Sequence, residues 1–478
     1  MNELIKQRWQ SSDAFYSERD HRTRLEVANL HAYVNKPVEI FVSPEAANDP
    51  TIQRITLLAA NLTARWARNI RVVVPRVILT DELQTHGDDT LQERIARELN
   101  DADPFGNWNF DESRSPTPSA LRLFIGSPDD FLSASEDYVV DASGWSALGH
   151  RGIGVQGFRR NPATVSAAAL AAAIGAADLF KRAIGHTRDH WLGTINWCTW
   201  THTLTRQWPA TVDGHPILLS VDVGNLLLAG TGAIGSALLY ILSLAAMQGR
   251  MTILDRDCVD TSNLNRSPLF TAAHAAANLK KTEVAREFIE ATGIQVDVVD
   301  GTWREHGERL SRDQFDVWVS LTNEDGAWAE VPFQLPPVVL HGTTSGWGIA
   351  FGRHIPRVED CTACRLPRPT AEFRGPCAEG DLPVAESEQP ARASLPFLST
   401  AAAALVAAEL LKLQQGSNGS LPNAVSADFA FGLPTVIALS RHFTPGCHGC
   451  QIAGLPLWSQ RGGRSRYATL SATEERNI

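Results

Sequence analysis

The stretch from Leu226 to Arg266 reads LLLAGTGAIGSALLYILSLAAMQGRMTILDRDCVDTSNLNR. An apolar strand, Leu226–Ala229, leads into a glycine loop, Gly230-Thr-Gly232-Ala233-Ile234-Gly235. An apolar helix is expected from Ser236 to about Met247, and a second strand, Met251–Leu254, ends at Asp255. This is the spacing of a mononucleotide-binding βαβ unit. Gly230 permits the tight turn, Gly232 lets backbone N–H groups approach phosphate, and Gly235 lets the helix pack close to the strand. Phosphate would sit on the helix N-terminus, where unpaired N–H groups and the dipole favour anions. Asp255, the carboxylate that ends the second strand, is placed for ribose hydroxyls.

A glycine loop alone would also suit a nicotinamide or flavin enzyme. The residues after Asp255 argue for a nucleoside triphosphate instead. Asp257, Asn263 and Arg266 follow closely, and Lys281 opens a helical pattern, KTEVAREFI. Ammonium and guanidinium groups are the usual partners of triphosphate oxygens.

The block Asp255-Arg-Asp257-Cys-Val259-Asp-Thr-Ser262-Asn263-Leu264-Asn265-Arg266, followed by Lys281-Thr-Glu283-Val-Ala285, resembles the ThiF/MoeB/ubiquitin-activating superfamily over roughly Val223 to Cys450. The resemblance implies a Rossmann-like activating-enzyme fold that uses ATP and Mg2+ to adenylate the C-terminal Gly carboxylate of a ubiquitin-like protein. It implies an ATP site of Gly230, Gly232, Ala233, Ile234, Gly235, Asp255, Asp257, Asn263, Arg266, Lys281 and Asn323, with Arg266 and Lys281 acting on the transferring phosphate. One position departs from the pattern. Asn323 stands after Thr322 where the family carries an Asp that helps to hold Mg2+, and Glu324 or Asp325 could substitute by a small shift.

At 478 residues the chain has room for two or more domains of ~100–200 residues, and its 44% apolar content allows a full core. The net charge of −10 argues against a nucleic-acid partner. No secretion signal opens the chain, and the longest apolar runs, Ala237–Met247 and Ala401–Leu411, fall short of a bilayer span. A cytoplasmic protein is expected. The 13 tryptophans are assigned to core and interface filling.

Four of the seven cysteines form two C-x-x-C pairs, Cys361/Cys364 and Cys447/Cys450. Two such pairs can supply a tetrahedral thiolate cage for structural Zn2+; disulfides are disfavoured in a cytosolic chain. The family has this arrangement, and His448 is read as a bystander. Cys377 lies between the pairs in FRGPCAEGDL, and the resemblance makes it the catalytic sulfur that captures the activated carboxylate. Gly375, Pro376 and Gly380 place it on a loop, with Arg374 near enough to favour the thiolate and Glu379 and Asp381 acting against it. Cys258 and Cys198 are read as packing residues.

The N-terminal half has no glycine loop yet also reads as α/β. Val38–Val42, Arg71–Val74, Leu121–Ile125 and Tyr138–Val140 are strand candidates, and Ile52–Ala67 is helix-like. Asp101–Pro118 reads as a loop. The alanine-rich helices Ala163–Ile184 and Leu398–Leu413 resemble each other down to a Leu-[Phe/Leu]-Lys ending. The expected organisation is an inactive adenylation-like α/β domain at 1–190, a linker at 191–217, an active adenylation domain with zinc site and cysteine loop at 218–455, and a tail at 456–478.

The resemblance is nearest to bacterial ubiquitin-like-protein-activating enzymes of the kind found in Bil-type antiphage conjugation operons. It implies a Gly-terminated ubiquitin-like partner, a conjugating enzyme that takes the thioester onward, and a homodimer. In small relatives an Arg reaches the triphosphate from the neighbouring subunit, and Arg22, Arg24 or one within Arg65–Arg71 could play that part here. Two alternatives share the fold: an activator of a sulfur-carrier protein for thiamine, molybdopterin or a peptide product, and a catalytically impaired scaffold, which Asn323 motivates.

Overall fold

A computed structural model describes residues 3–24, 27, 30–86, 90–111, 115, 117–126, 136–152, 161–208, 214–310, 315–322, 331, 336, 338–365, 395, 397–416, 421–447, 450, 465–467 and 470. Asn323, Glu324, Asp325, Cys377 and His448 lie outside these residues.

Two eight-stranded sheets carry the fold. The first holds β1 (Val38–Val42), β2 (Asn69–Val73), β3 (Asn107–Asp111), β4 (Leu121–Ile125), β5 (Tyr138–Ser143), β6 (Ser146–Arg151), β7 (Ile195–Cys198) and β8 (Leu204–Thr205), in the order β3-β2-β1-β4-β5-β6-β7-β8. The second holds β9 (Ser220–Ala229), β10 (Ala246–Asp255), β11 (Gln295–Asp300), β12 (Val317–Ser320), β13 (Val339–Ser345), β14 (Gly348–His354), β15 (Ala424–Asp428) and β16 (Thr435–Leu439), in the order β11-β10-β9-β12-β13-β14-β15-β16. The order is the same in both, and so is the sense. In each sheet the first five strands in that order are mutually parallel, and the last three join by antiparallel pairs. The chain is thus two α/β halves of one plan.

Most buried apolar residues of both halves form one continuous cluster, from Ile5 to Tyr467, with two smaller clusters apart from it, one in each half. The centre of the large cluster is made by the two alanine-rich helices, Val165–Ala183 and Leu398–Gln414, which pack together. Every residue of the first is buried, and every residue of the second from Leu398 to Leu413. Small side chains permit this close approach, and Thr164 starts the first helix by accepting a hydrogen bond from the Ala167 N–H. The Pro50–Ala64 helix follows β1 and packs on Val165–Ala183; the Ala233–Ser243 helix follows β9 and packs on Leu398–Gln414. On the other face of the second sheet, the Trp303–Leu310 helix covers Leu227, Leu254 and Trp318. Trp9, Trp66, Trp145, Trp197, Trp303 and Trp318 are buried, as expected of core filling.

Several boundaries differ from expectation. The helix after the glycine loop ends at Ser243, and Ala246 and Met247 begin β10 instead, paired with Ser220 and Val221 of a longer β9. A short apolar run fits helix or strand equally well, and here the partner strand decides. The stretch Asp101–Pro118 is not all loop: Asn107–Asp111 pair with β2 as an edge strand whose polar side chains face water. Within 191–217, expected to be a linker, β7 and β8 complete the first sheet. Cys198, in β7, is partly exposed rather than buried.

Candidate functional site

The glycine loop joins β9 to the Ala233–Ser243 helix. Gly230 sits at φ +96°, and a Cβ there would lie 2.6 Å from the Thr322 nitrogen. A Cβ on Gly235 would lie 2.1 Å from the Gly230 carbonyl oxygen. Both positions therefore require glycine. Gly232 caps the helix without a side-chain hydrogen bond, and a Cβ on it would meet nothing within 4 Å. The space beside Gly232, at the start of the helix whose first turn is Ala233, Ile234 and Gly235, is therefore open, as an anion site at a helix N-terminus requires.

Asp255 ends β10 beside this loop. Its Oδ2 accepts from the Thr231 N–H (2.7 Å) and hydroxyl (2.9 Å), and its Oδ1 accepts from the Asp257 N–H (2.9 Å). Asp257 in turn holds Lys281: the Lys281 N–H donates to the Asp257 carbonyl (3.0 Å), and its Nζ donates to Asp257 Oδ2 (2.9 Å). A connected chain, Thr231–Asp255–Asp257–Lys281, therefore runs from the glycine loop to the start of the Lys281–Glu290 helix. The Lys281 side chain is 8% exposed and its carboxylate partner 55%. Cys258 follows, partly exposed and bridged through its backbone to Lys280.

Asn263 and Arg266 lie on the next turn. The Asn263 Oδ1 accepts from the Asp260 N–H (3.0 Å) and closes the Thr261–Asn263 turn. A phosphate oxygen would take the Nδ2 donor of this side chain rather than the oxygen. Arg266 is 8% exposed; its Nη1 donates to the Ser262 carbonyl and to Asn265 Oδ1 (2.8 Å). Burial first, and then the charge of Arg22, push its guanidinium well below the ordinary range. Arg22 comes from the first half. Its neighbours dock on the same turn: Glu18 accepts from the Thr261 hydroxyl (3.0 Å), and the Thr23 hydroxyl accepts from Asn265 Nδ2 (2.8 Å).

Among the first-half arginines considered from sequence, Arg22 is thus the one whose charge bears on Arg266. Arg24 donates to the Tyr16 carbonyl (3.4 Å). Arg68 lies over the Tyr16 ring (3.9 Å), Arg71 pairs with Glu39 and Asp111, and Arg65 is 1% exposed on backbone carbonyls. The Thr231, Thr23 and Glu18 contacts were not anticipated. Thr231 was visible as the residue between two loop glycines; Glu18 and Thr23 carry no local signal, since their partners lie more than 200 residues away.

The Sγ atoms of Cys361, Cys364, Cys447 and Cys450 all lie within 4.8 Å of one another. Cys361 is 3.8 Å from Cys364 and 3.7 Å from Cys447, and Cys364 is 3.6 Å from Cys450. Four sulfurs about 2.3 Å from one Zn2+ in a tetrahedron stand about 3.8 Å apart, so the cluster could hold that ion. Without a cation the four thiols do not ionise alike: the hydrogen bond with Cys450, then burial, drive the Cys361 thiol far up, and burial raises Cys364 to about 11, while the hydrogen bond with Cys361 pulls Cys450 down to about 4. A bound divalent cation favours the thiolate at all four.

No helix among the described residues is long and apolar enough to cross a membrane. Residues 218–447 match the ThiF family. An uncharacterized protein of Sinorhizobium fredii, y4jF, is 31% identical over 154 residues, which are 32% of this chain and 29% of that protein. Escherichia coli MccB, solved with ATP, superposes with a TM-score of 0.37 at 16% identity, over 48% of this chain and 66% of that one. The microcin C7 biosynthetic enzyme MccB in complex with N-formylated MccA gives a TM-score of 0.36 at 18% identity, over 48% and 67%. The chain thus spans less than a third of y4jF and about two thirds of MccB.

Proposed function

We infer the function from the premise that residues 218–447 are a ThiF-family domain. The chain is read as an ATP-dependent adenylating enzyme that activates the C-terminal Gly carboxylate of a ubiquitin-like protein. The observation that carries this reading is the connected chain from Thr231 through Asp255 and Asp257 to Lys281, beside a helix N-terminus with no side-chain cap. In this reading the loop N–H groups take the phosphates, and Asp255 orients the ribose with its remaining lone pairs. The exposed Asp257 yields Lys281 to the triphosphate.

The substrate carboxylate oxygen attacks the α-phosphorus, the bond to the bridging oxygen breaks, and pyrophosphate leaves with that electron pair. Lys281, Arg266 and Arg22 offset the charge that builds on the phosphates, a differential effect in a site shielded from water. Mg2+, when bound, would add to that neutralisation. The first half, with no glycine at its β1 turn and Val74-Pro75-Arg76 after β2, serves as an inactive partner domain that supplies Arg22. It also covers the Leu398–Gln414 helix, so a homodimer would have to use another surface. Zn2+ on the four cysteines would be structural. The acyl-adenylate is then attacked by the Cys377 thiolate, which forms the thioester and releases AMP, and a conjugating enzyme takes the acyl group onward.

The test is ATP–pyrophosphate exchange with Mg2+ and a Gly-terminated ubiquitin-like protein encoded beside this gene. Exchange that depends on the terminal Gly supports the reading. No exchange with the partner still bound means a scaffold of the same fold. A sulfur-carrier activator would give the same exchange but would need a sulfur donor, not a conjugating enzyme, to turn over.

A further inference from the structure

Arg65 stands at the C-cap of the Pro50–Ala64 helix in the first half, and its guanidinium is fully inside the protein, 1% exposed. It touches the second half. Nη1 donates to the carbonyls of Leu264 (2.8 Å) and Phe270 (2.9 Å), Nη2 to that of Pro268 (2.8 Å), and Nε to Asn61 Oδ1 (3.0 Å). Asn61, one turn earlier, adds a bond from Nδ2 to the same Pro268 carbonyl (3.1 Å). Its direct partners are all neutral oxygens, and burial lowers its pKa to about 10, so it stays charged at neutral pH.

A buried cation whose hydrogen bonds all go to neutral oxygens, with the Glu98 carboxylate reached only through Asn61 (2.6 Å), is a costly way to fill space; an apolar side chain of similar volume would pack there more cheaply. A planar fork with five donors does what no apolar residue can: it fixes several carbonyls at once. The three carbonyls belong to one turn, and Arg266 lies inside it. The same helix meets the second half at a second point, the far end of the helix that follows the glycine loop. Arg54 Nε donates to the Leu244 carbonyl (2.7 Å), at the C-cap of the helix that the glycine loop begins, where a cation is favoured. In its own half this helix follows β1, as the Ala233–Ser243 helix follows β9, but it starts from Asp49-Pro50 with no glycine loop.

We propose that Arg65 is a positioning residue for the second half's nucleotide site. It clamps the 264–270 turn and so sets Arg266, and it makes ATP binding by one half depend on a side chain of the other. This rests on the adenylating reading of residues 218–447.

The experiment compares full-length, zinc-loaded wild type with Arg65→Gln and Arg65→Lys. Amide hydrogen exchange is followed across residues 261–270, and KM for ATP and kcat are measured in pyrophosphate exchange. Arg65→Gln is expected to speed exchange in that turn above all and to raise KM for ATP at least tenfold, with Arg65→Lys intermediate. A role confined to bracing the fold would speed exchange across both halves and lower kcat with the folded fraction while leaving KM unchanged; that result overturns the proposal. So does a turn whose exchange is unaltered, or one that loosens with KM unchanged. If Arg65→Gln does not fold, Arg65→Lys and Asn61→Ser, which removes the Asn61 contacts to Pro268, Arg65 Nε and Glu98, carry the same readouts. Wild-type protein that neither binds ATP nor exchanges pyrophosphate overturns the adenylating reading itself, whatever Arg65→Gln does to the turn.

Discussion

Lys181 and Lys412 make the same contact in opposite directions. Lys181, near the end of the first alanine-rich helix, donates from Nζ to the carbonyls of Ala430 (3.2 Å) and Phe431 (2.9 Å), in the β15–β16 turn of the second half. Lys412, near the end of the second such helix, donates to the carbonyl of Trp200 (2.9 Å), in the β7–β8 turn of the first. Each is preceded three residues earlier by a buried acid that pairs with an arginine of the adjacent antiparallel strands: Asp178 with Arg151, and Glu409 with Arg353 (2.6 Å). The two halves share this buried charge pattern as well as a strand order, and they use it to hold each other.

The two lysines differ in what their loss exposes. Lys412 also pairs with Glu409, and its removal leaves Glu409 and Glu359 against Arg353 alone in a fully buried network. Lys412→Met should therefore cost about 3–5 kcal/mol. Lys181 is bound by carbonyls, and burial lowers its pKa to about 8, so its charge is less firmly held. Lys181→Met should cost about 1–3 kcal/mol, the penalty of unpaired carbonyls. Urea unfolding of both variants decides it; equal losses, or a larger one for Lys181→Met, would contradict the account.

His202 lies in the same network, left-handed at φ +58° and 1% exposed. Its Nε2 faces Glu409 Oε1 (2.9 Å) and Lys412 Nζ (3.0 Å), with Arg353 also near. Burial first, then Lys412, hold its pKa down to about 4, so it is neutral in the folded chain. The unfolded chain binds a proton from about pH 6.5 downward, and the folded chain does so only near pH 4. Between those values the unfolded state carries more protons, and stability falls as pH falls, by about 3 kcal/mol over the whole window. His274 is lowered to about 4 as well, chiefly by burial, and adds to the same slope. His202→Gln should flatten about half of the acid loss, measured by unfolding between pH 6.5 and 4 at constant zinc content. An unchanged slope would mean that His202 is not neutral in the fold.

The residues that read well from sequence are those whose signal is local. The spacing of Gly230, Gly232, Gly235 and Asp255 fixed one βαβ unit because each glycine answers a steric demand within a few residues. The two alanine-rich helices stood out because all of their faces are buried, so between the first turn and the acid that precedes each lysine, Asp178 or Glu409, no polar residue interrupts them. Met247 was assigned to a helix because an apolar run of that length has no period of its own; pairing with Val221 makes it strand. Asn107–Asp111 and Ile195–Cys198 were missed because an edge strand and a hairpin strand draw their stability from a partner rather than from composition. The contacts of Arg65, Glu18 and Thr23 with the Thr261–Phe270 region had no visible sign, because no periodicity links residues 200 positions apart.

The cysteine cluster gives a prediction that does not depend on catalysis. One Zn2+ per chain should be found by metal analysis, held by Cys361, Cys364, Cys447 and Cys450. A metal present at 1,000 times its dissociation constant adds about 4 kcal/mol to the folded state. Removal by a strong chelator, or Cys361→Ser, should lower the melting temperature of the protein by several degrees. Melting that is identical with and without the metal would refute a structural site.

Cys377 is testable independently of its position in the fold. In Cys377→Ala the reductant-sensitive adduct with the ubiquitin-like partner should vanish on a gel, while pyrophosphate exchange stays within about twofold of wild type, since adenylation precedes the thiol step. An adduct that persists would assign the sulfur to another cysteine.

Arg22 separates a contributed cation from a structural one. Arg22 is half-buried and Arg266 buried, and after burial itself the repulsion between the two guanidinium groups helps to push the Arg266 pKa down. Like charges brought together in the resting state are relieved by an anion, and a triphosphate whose charge shifts during transfer relieves them most in the transition state. Arg22→Ala should therefore lower kcat for pyrophosphate exchange by about 10²-fold, the scale of losing one preorganised charge stabiliser, with a smaller change in KM for ATP. Arg24→Ala, whose hydrogen bond among the described residues is a 3.4 Å contact to the Tyr16 carbonyl, should remain within a few-fold of wild type. If Arg24→Ala is the more damaged of the two, or if Arg22→Ala loses only melting temperature, then the first half braces the site without entering its chemistry.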